Sequence, residues 1–163
     1  MTTADADLTA ENSAAARRAR GIAAYARIFD VPEQDVEAAM TARVGPVFAA
    51  EAFASAGGPA WSHGALTARD RSVAIITALT AQGVTGDRLD THLRLASANG
   101  IGHEGLTALM TLLANYIGYP HASAAMESVE RAARSGLLAA DGNPATPPAP
   151  RPESDPAPGR PGR

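Results

Sequence analysis

Apolar residues recur at helical spacing through the stretch from Thr67 to Pro120, and glycines interrupt the pattern at intervals. The pattern predicts three successive helices, over residues 67–83, 87–99 and 102–117. Their boundary signals agree with this, because Thr67 and Asp70 have the spacing of a capping box and Asn99-Gly100 is typical of a left-handed helix end. Connections this short make neighbouring helices antiparallel, so the stretch is expected to fold as part of a helical bundle.

The flanking sequence extends the bundle on both sides. Residues 12–29 form a helical segment, and Asp30 is predicted to cap a second helix that has Pro32 at its start and runs to about residue 43. Pro46 opens a third helix that stops at Gly57-Gly58, and a last helix is predicted over residues 120–138. We therefore expect an all-α domain of six or seven helices over residues 12–138, with no strand.

The two ends of the chain have a different composition. Residues 1–11 are polar and rich in alanine, and residues 139–163 hold eight of the twelve prolines with almost no large apolar side chain. Such segments bury too little surface to offset their ordering entropy, so both are predicted to be disordered. The proline-rich tail is expected to be an inert, solubilising segment, with docking to a partner as the alternative.

The composition excludes several classes of function. The chain has no cysteine, and all 14 of its basic residues are arginine, which rules out disulfides, thiolate catalysis and cysteine zinc sites. A net charge of −3 gives no support for nucleic-acid binding. The longest strongly apolar run, residues 73–79, is far too short to span a membrane, and no signal-peptide pattern opens the chain. We expect a cytoplasmic protein that binds neither nucleic acid nor membrane. The four scattered histidines show no metal-binding spacing.

His92 is the first candidate for a functional residue. It lies on the apolar face of the middle helix with Arg88 one turn before it and Leu95 one turn after it. A half-buried histidine beside an arginine suits general acid–base catalysis, with the guanidinium holding a carboxylate. The alternative is a core histidine that hydrogen-bonds one backbone carbonyl. Spacing alone leaves both interpretations open.

Four further residues are candidates for shaping a pocket. Trp61, the only tryptophan, lies in a loop before the capped helix and either roofs a pocket or fills the loop. Asn115 and Tyr116 precede the helix break at Gly118, where polar groups can face a ligand or simply remain half-buried. Arg71 lies in the first turn of a helix, either free to bind an anion or solvated at the surface.

The chain resembles the carboxymuconolactone decarboxylase family, within the wider group that includes the alkylhydroperoxidase D-like proteins. The resemblance covers roughly residues 44–133. It rests on the segments GGPAWS, LTARDRSVAIITALTAQG, LDTHLRLASANGI and LLANYIGYPHASAAM. It implies an alkylhydroperoxidase D-like helical fold that forms homo-oligomers, commonly trimers or hexamers, with active sites near subunit boundaries.

Two chemistries are known for this group, and the residues distinguish between them. The hydroperoxidase branch has a pair of cysteines ahead of the histidine matched by His92, where this chain has Thr85 and Arg88. Peroxide reduction by thiols is therefore excluded. The decarboxylase branch uses no metal or organic cofactor and stabilises developing charge by hydrogen bonds and a cation. This chain departs from that branch at Pro59, where a glutamate is common, and at Leu112, where a histidine is common.

These observations lead to two hypotheses. In the first, the protein is a cofactor-independent enzyme in which His92 transfers a proton on a small anionic, carbonyl or lactone substrate, by decarboxylation, isomerisation or cyclisation. The candidate residues for binding the substrate are Arg88, Arg71, Arg94, Trp61, Asn115 and Tyr116. Arg94 faces roughly 160° away from His92 on the helix, so it would serve the same site only across a subunit interface. In the second hypothesis, the protein is an oligomeric binding or scaffold protein without catalytic activity.

Overall fold

The computed structural model describes residues 13–58, 61 and 63–138, and within them the chain forms seven α-helices and no strand. The helices are α1 (Ala14–Phe29), α2 (Glu33–Val44), α3 (Pro46–Ala56), α4 (Ala68–Ala81), α5 (Asp87–Ala98), α6 (His103–Ile117) and α7 (Tyr119–Arg134). The predicted all-α fold is confirmed for this part of the chain. The predicted disordered ends, residues 1–11 and 139–163, lie outside the described residues.

Local signals in the sequence set most of the helix boundaries. The capping box at the start of α4 is confirmed, with the Asp70 backbone N–H donating to Thr67 Oγ1 at 3.1 Å and the Thr67 N–H donating to Asp70 Oδ2 at 2.9 Å. The left-handed end of α5 is also confirmed, since Gly100 has a φ of +81°. Gly118, at φ +86°, separates α6 from α7 and lets the chain reverse there.

Two predicted boundaries were wrong. Asp30 does not cap α2, because it closes α1 in the left-handed conformation, at φ 58°, with its backbone N–H donating to the Ala26 carbonyl. The N-cap of α2 is Pro32, which makes no side-chain cap. The last helix also ends earlier than predicted, at Arg134, and Gly136 follows in the left-handed conformation at φ +73°.

The buried apolar residues divide into two cores. The first belongs to α1, α2 and α3, and the second belongs to α4, α5, α6 and α7. The first core centres on Val36, Met40, Ala49 and Phe53. The second is larger and centres on Ile76, Leu89, Leu93, Ala96, Ile101, Leu106, Met110, Leu113, Ala125, Val129 and Ala132. None of the helices in the described part of the chain is long and apolar enough to cross a membrane.

Two glycines allow α1 and α3 to pack backbone against backbone. A Cβ atom on Gly21 would collide with the carbonyl of Phe53, and one on Gly57 would collide with the carbonyl of Arg17. Arg20 joins the same two helices, because its Nε donates to the Gly57 carbonyl at 3.0 Å. The position of α1 is thus fixed by close contact with α3, which matters because α1 also reaches the second core.

Replacing Gly21 by alanine tests this contact. Alanine normally stabilises a helix interior by about 1 kcal/mol relative to glycine. Here we expect Gly21→Ala to lower the free energy of unfolding by about 2–3 kcal/mol, because the new methyl group meets rigid backbone. Urea denaturation followed by circular dichroism measures the change.

Gly105→Ala is the matched control, since a Cβ atom on this helical glycine would meet only the side chain of Ile101, at 3.1 Å. Its loss of stability should be smaller, because a side chain can shift where a backbone cannot. Equal losses in the two variants would contradict the close-packing interpretation.

Candidate functional site

A cavity of about 290 Å³ lies where the two cores meet, between α1, α4 and α5. Its walls combine apolar side chains with two arginines, a tryptophan and two smaller polar groups. The lining residues are Ala24, Arg27, Ile28, Trp61, Ala68, Arg71, Ser72, Ile75, Leu95 and Asn99. An apolar cavity with a few convergent polar groups is the usual form of a small-molecule site.

Arg71 supplies a charged group with spare hydrogen-bonding capacity. One of its terminal nitrogens, Nη2, donates to the His63 carbonyl at 2.7 Å, which holds the side chain in place. Its Nε is buried and has no hydrogen-bond partner within the described residues. A buried guanidinium N–H without a partner is costly, and an anionic ligand would remove that cost. Trp61 lines the same cavity and offers an aromatic surface beside this cation.

Asn99 and Ser72 add uncharged polar groups to the cavity wall. The Asn99 amide nitrogen donates to Ser72 Oγ at 2.9 Å and to the Ala68 carbonyl at 3.3 Å. These bonds fix the amide, and its Oδ1 makes no hydrogen bond within residues 13–58, 61 and 63–138. The wall therefore presents an acceptor as well as donors, which suits a ligand that carries a hydroxyl or a protonated carboxyl group.

His92 does not line the cavity. It occupies the same face of α5 as Leu95 and Asn99, which do line it, and it is one turn closer to the start of the helix. The side chain is half-buried, and burial lowers its pKa from the usual 6.5, since desolvation penalises the charged imidazolium. His92 is therefore neutral at pH 7, which suits a proton acceptor.

The structure separates the other predicted site residues from this cavity. Arg88 lies one turn before His92 on α5, and its side chain is exposed. Arg94 reaches the end of α1, where its Nη2 donates to the Ile28 carbonyl at 2.6 Å. Asn115 and Tyr116 lie on the exposed face of α6. Of the seven predicted residues, Trp61 and Arg71 line the cavity, His92 shares a helix face with the lining residue Leu95, and the other four lie elsewhere.

Sequence reasoning missed three polar lining residues. Asn99 was predicted only as part of a helix end, although its amide lies on the cavity wall. Ser72 gave no signal beyond its helical position, and Arg27 lies on α1, far away in sequence. The spacing of Leu95 and Asn99 relative to His92 was the one available signal, because i+3 and i+7 positions share a helix face.

A wider groove of about 690 Å³ lies between α6 and α7. Its floor includes Met110 and Met126, and its rim includes Glu130 and Arg131. These charges are already paired: Glu130 with His103 at 2.8 Å, and Arg131 with Asp90 at 3.0 Å. The groove also contains Glu127 and Arg134, so its lining carries carboxylates as well as guanidinium groups, whereas no carboxylate lines the smaller cavity. In the described part of the chain, no three histidine, aspartate or glutamate side chains are grouped so as to hold a metal ion.

Comparison with known proteins identifies a family. The sequence profile of the carboxymuconolactone decarboxylase family matches residues 46–131, more than half of the 163-residue chain. The match begins at the start of α3 and ends within α7, so it covers every lining residue of the small cavity except those on α1. No curated protein and no solved structure matched the chain.

The lowered pKa of His92 predicts how stability varies with pH. The unfolded chain binds a proton at His92 near pH 6.5, whereas the folded protein binds it only at lower pH. The contribution of His92 to stability is therefore complete above pH 6.5 and declines as the pH falls through the folded-state pKa. Denaturation of the wild type and of His92→Gln between pH 8 and 5 measures this. The stability of the wild type should fall relative to the variant, and parallel profiles would contradict the prediction.

Proposed function

The chain belongs to the carboxymuconolactone decarboxylase family, and we propose that it is an enzyme of decarboxylase or isomerase type that needs neither thiols nor a cofactor. Its substrate is a small carboxylated molecule with a carbonyl or lactone group. The observation that carries this proposal is the buried, unpartnered Nε of Arg71 in a cavity that also contains Trp61. The absence of cysteine from the sequence removes the thiol-dependent chemistry of the wider group.

Arg71 binds a group of the substrate that stays negative throughout the reaction, or a carbonyl oxygen on which charge develops. Holding a carboxylate that must leave as CO₂ would stabilise the ground state and slow the reaction. The position of Arg71 in the first turn of α4 adds to its effect, because the start of a helix favours negative charge. Binding of this kind fixes the substrate against Trp61.

His92 transfers the proton. As a neutral imidazole it removes a proton next to the substrate carbonyl, and the electron pair passes to the carbonyl oxygen. In an isomerisation the imidazolium returns the proton to another carbon. In a decarboxylation the bond to the carboxylate breaks, CO₂ leaves without the electron pair, and an imidazolium protonated from solvent supplies the proton to carbon. Either route requires the substrate to extend one helical turn from Asn99 and Leu95 towards His92.

The second candidate is a binding protein without catalytic activity. One observation favours it, namely that His92 is not among the residues that line the cavity. In this alternative Arg71 and Trp61 retain the ligand and His92 is a half-buried structural residue. The two candidates differ in whether changing His92 affects turnover, binding or neither.

Paired substitutions at His92 and Arg71 separate binding from chemistry. Small lactone and keto carboxylates are screened by calorimetry for binding and by NMR for conversion. We expect Arg71→Gln to weaken binding about 10- to 100-fold, the effect of losing a charge-assisted hydrogen bond. His92→Gln should leave affinity nearly unchanged and lower kcat about 10²- to 10⁴-fold.

Arg69→Gln is the matched control, since Arg69 lies in the same helical turn but donates to the Gly100 carbonyl and does not line the cavity. It should bind like the wild type. Binding by the wild type without conversion of any carboxylate would favour the non-catalytic candidate, and equal binding by the wild type and Arg71→Gln would contradict both.

We also propose that copies of the chain associate through the corner between α6 and α7. Three large apolar side chains are exposed there: Leu112 at 55%, Tyr116 at 80% and Tyr119 at 73%. Tyr119 also lines the 690 Å³ groove, so the exposed side chains continue into its apolar floor. Exposed apolar surface of this extent is typical of an interface. This assigns Tyr116 to subunit association, whereas sequence reasoning had assigned it to the substrate.

Association can be tested with a charged substitution in this corner. Tyr116→Glu should lower the molar mass measured by light scattering, because burying an unpaired carboxylate is costly. Val47→Glu, at another exposed apolar residue on α3, is the control and should leave the mass unchanged. Dissociation of only the Val47 variant would move the interface to α3, and a monomeric wild type would refute the proposal.

A further inference from the structure

One wall of the small cavity comes from outside the segment that matches the family. The family profile begins at residue 46, whereas Ala24, Arg27 and Ile28 lie on α1 (Ala14–Phe29). The cavity is therefore completed by a helix that the family match does not include. What α1 gives the cavity therefore has to be argued from the structure of this chain and not from the family match.

Arg27 is the residue on this wall that can interact with a ligand. Its side chain is exposed, and the guanidinium forms no hydrogen bond or ion pair within residues 13–58, 61 and 63–138, where only the backbone carbonyl of Arg27 accepts from another side chain. Ala24 and Ile28 are buried and apolar, so they close the wall without offering polar groups. We infer that Arg27 is a second cation of the cavity, which acts with Arg71 to determine its specificity for anionic ligands. This inference rests on the proposed function in that it takes the cavity as the ligand site.

The two carboxylates that share a depression with Arg27 lie outside the cavity. Arg27 also lines a shallower depression at the turn between α1 and α2, which contains the carboxylates of Asp30 and Glu33. Asp30 is 3.5 Å from Nη1 of Arg94, so its charge is already opposed by a guanidinium. No carboxylate lines the small cavity. A ligand there meets Arg27 and Arg71 from two different helices.

Arg94 has a positioning role in this arrangement. Its Nη2 donates to the carbonyl of Ile28 at 2.6 Å and lies 3.4 Å from that of Arg27. These bonds attach the last turn of α1 to α5, next to the cavity. Arg94 therefore contributes by holding the Arg27 wall in place, without contacting the ligand.

The alternative for Arg27 is a purely structural role at the end of α1, which can be tested. A basic residue in the last turn of a helix stabilises it by roughly 0.3–1 kcal/mol through the helix dipole. That role would affect stability only. A role in anion binding must instead change the local concentration of negative ions in the cavity. The fluorescence of Trp61 reports on this concentration, because Trp61 lines the cavity and is the only tryptophan in the chain.

The experiment compares quenching of Trp61 fluorescence by iodide, an anion, and by acrylamide, which is neutral. Arg27→Gln and Arg71→Gln should each lower the iodide quenching constant by a factor of roughly two to five, the effect of removing one nearby unit charge in water. The acrylamide constant should stay within experimental error in both, which shows that Trp61 has kept its accessibility. Arg27→Lys, which keeps the charge, should restore most of the iodide quenching.

Arg43→Gln is the matched control, because it removes the same charge from an exposed arginine that lines no cavity described above and lies over the Phe29 ring. Iodide should quench Trp61 fluorescence in this variant as strongly as in the wild type. Equal loss of iodide quenching in the Arg27 and Arg43 variants would overturn the inference, because net charge would then explain both. A loss in Arg71→Gln alone would also overturn it while leaving the proposed function intact. No loss in either cavity variant would refute both the inference and the anion site.

Discussion

The hydrogen bond from Arg94 to the carbonyl of Ile28 is a direct link between the two halves of the molecule. Each half has its own apolar core, and α1 meets α5 along the line where they join. The last carbonyls of any helix lack partners within that helix, so a guanidinium at the end of α1 satisfies groups that would otherwise need water. The side chain is only 24% exposed, which shields the bond from competing solvent. This contact lies at the edge of the small cavity, because Ile28 is one of the residues that line it.

The helices could be predicted from sequence because their boundaries are set locally. The capping box at Thr67 and the left-handed glycine at residue 100 involve bonds between residues a few positions apart. Asp30 shows the limit of this reasoning, because aspartate suits both a helix start and a left-handed helix end. Only the path of the following residues, which places Pro32 as the N-cap of α2, decides between them.

The site was less predictable, because it depends on which helices come together. Trp61 and Arg71 were predicted, and they meet because both lie near the start of α4. Arg94 was predicted to bind substrate, but spacing along α5 gave only the direction of its side chain and not the neighbour it meets, which is α1. Arg27 gave no signal, because α1 is far from α4 and α5 along the chain although it lies next to them in the fold. The residues that sequence reasoning missed are those placed by tertiary packing.

The cavity walls come from two separate parts of the chain, because α1 lies against α4 and α5. The walls from α4 and α5 come from helices that build the four-helix core and lie in the family segment, so substitutions there can alter the cavity and the stability of the larger core together. The wall from α1 belongs to neither. Of its three cavity-lining residues, Ala24 and Ile28 are buried and Arg27 is exposed, so Arg27 is the one that can change without repacking a core. The charge of this wall can therefore change at one exposed position of α1 while the residues of both cores stay the same.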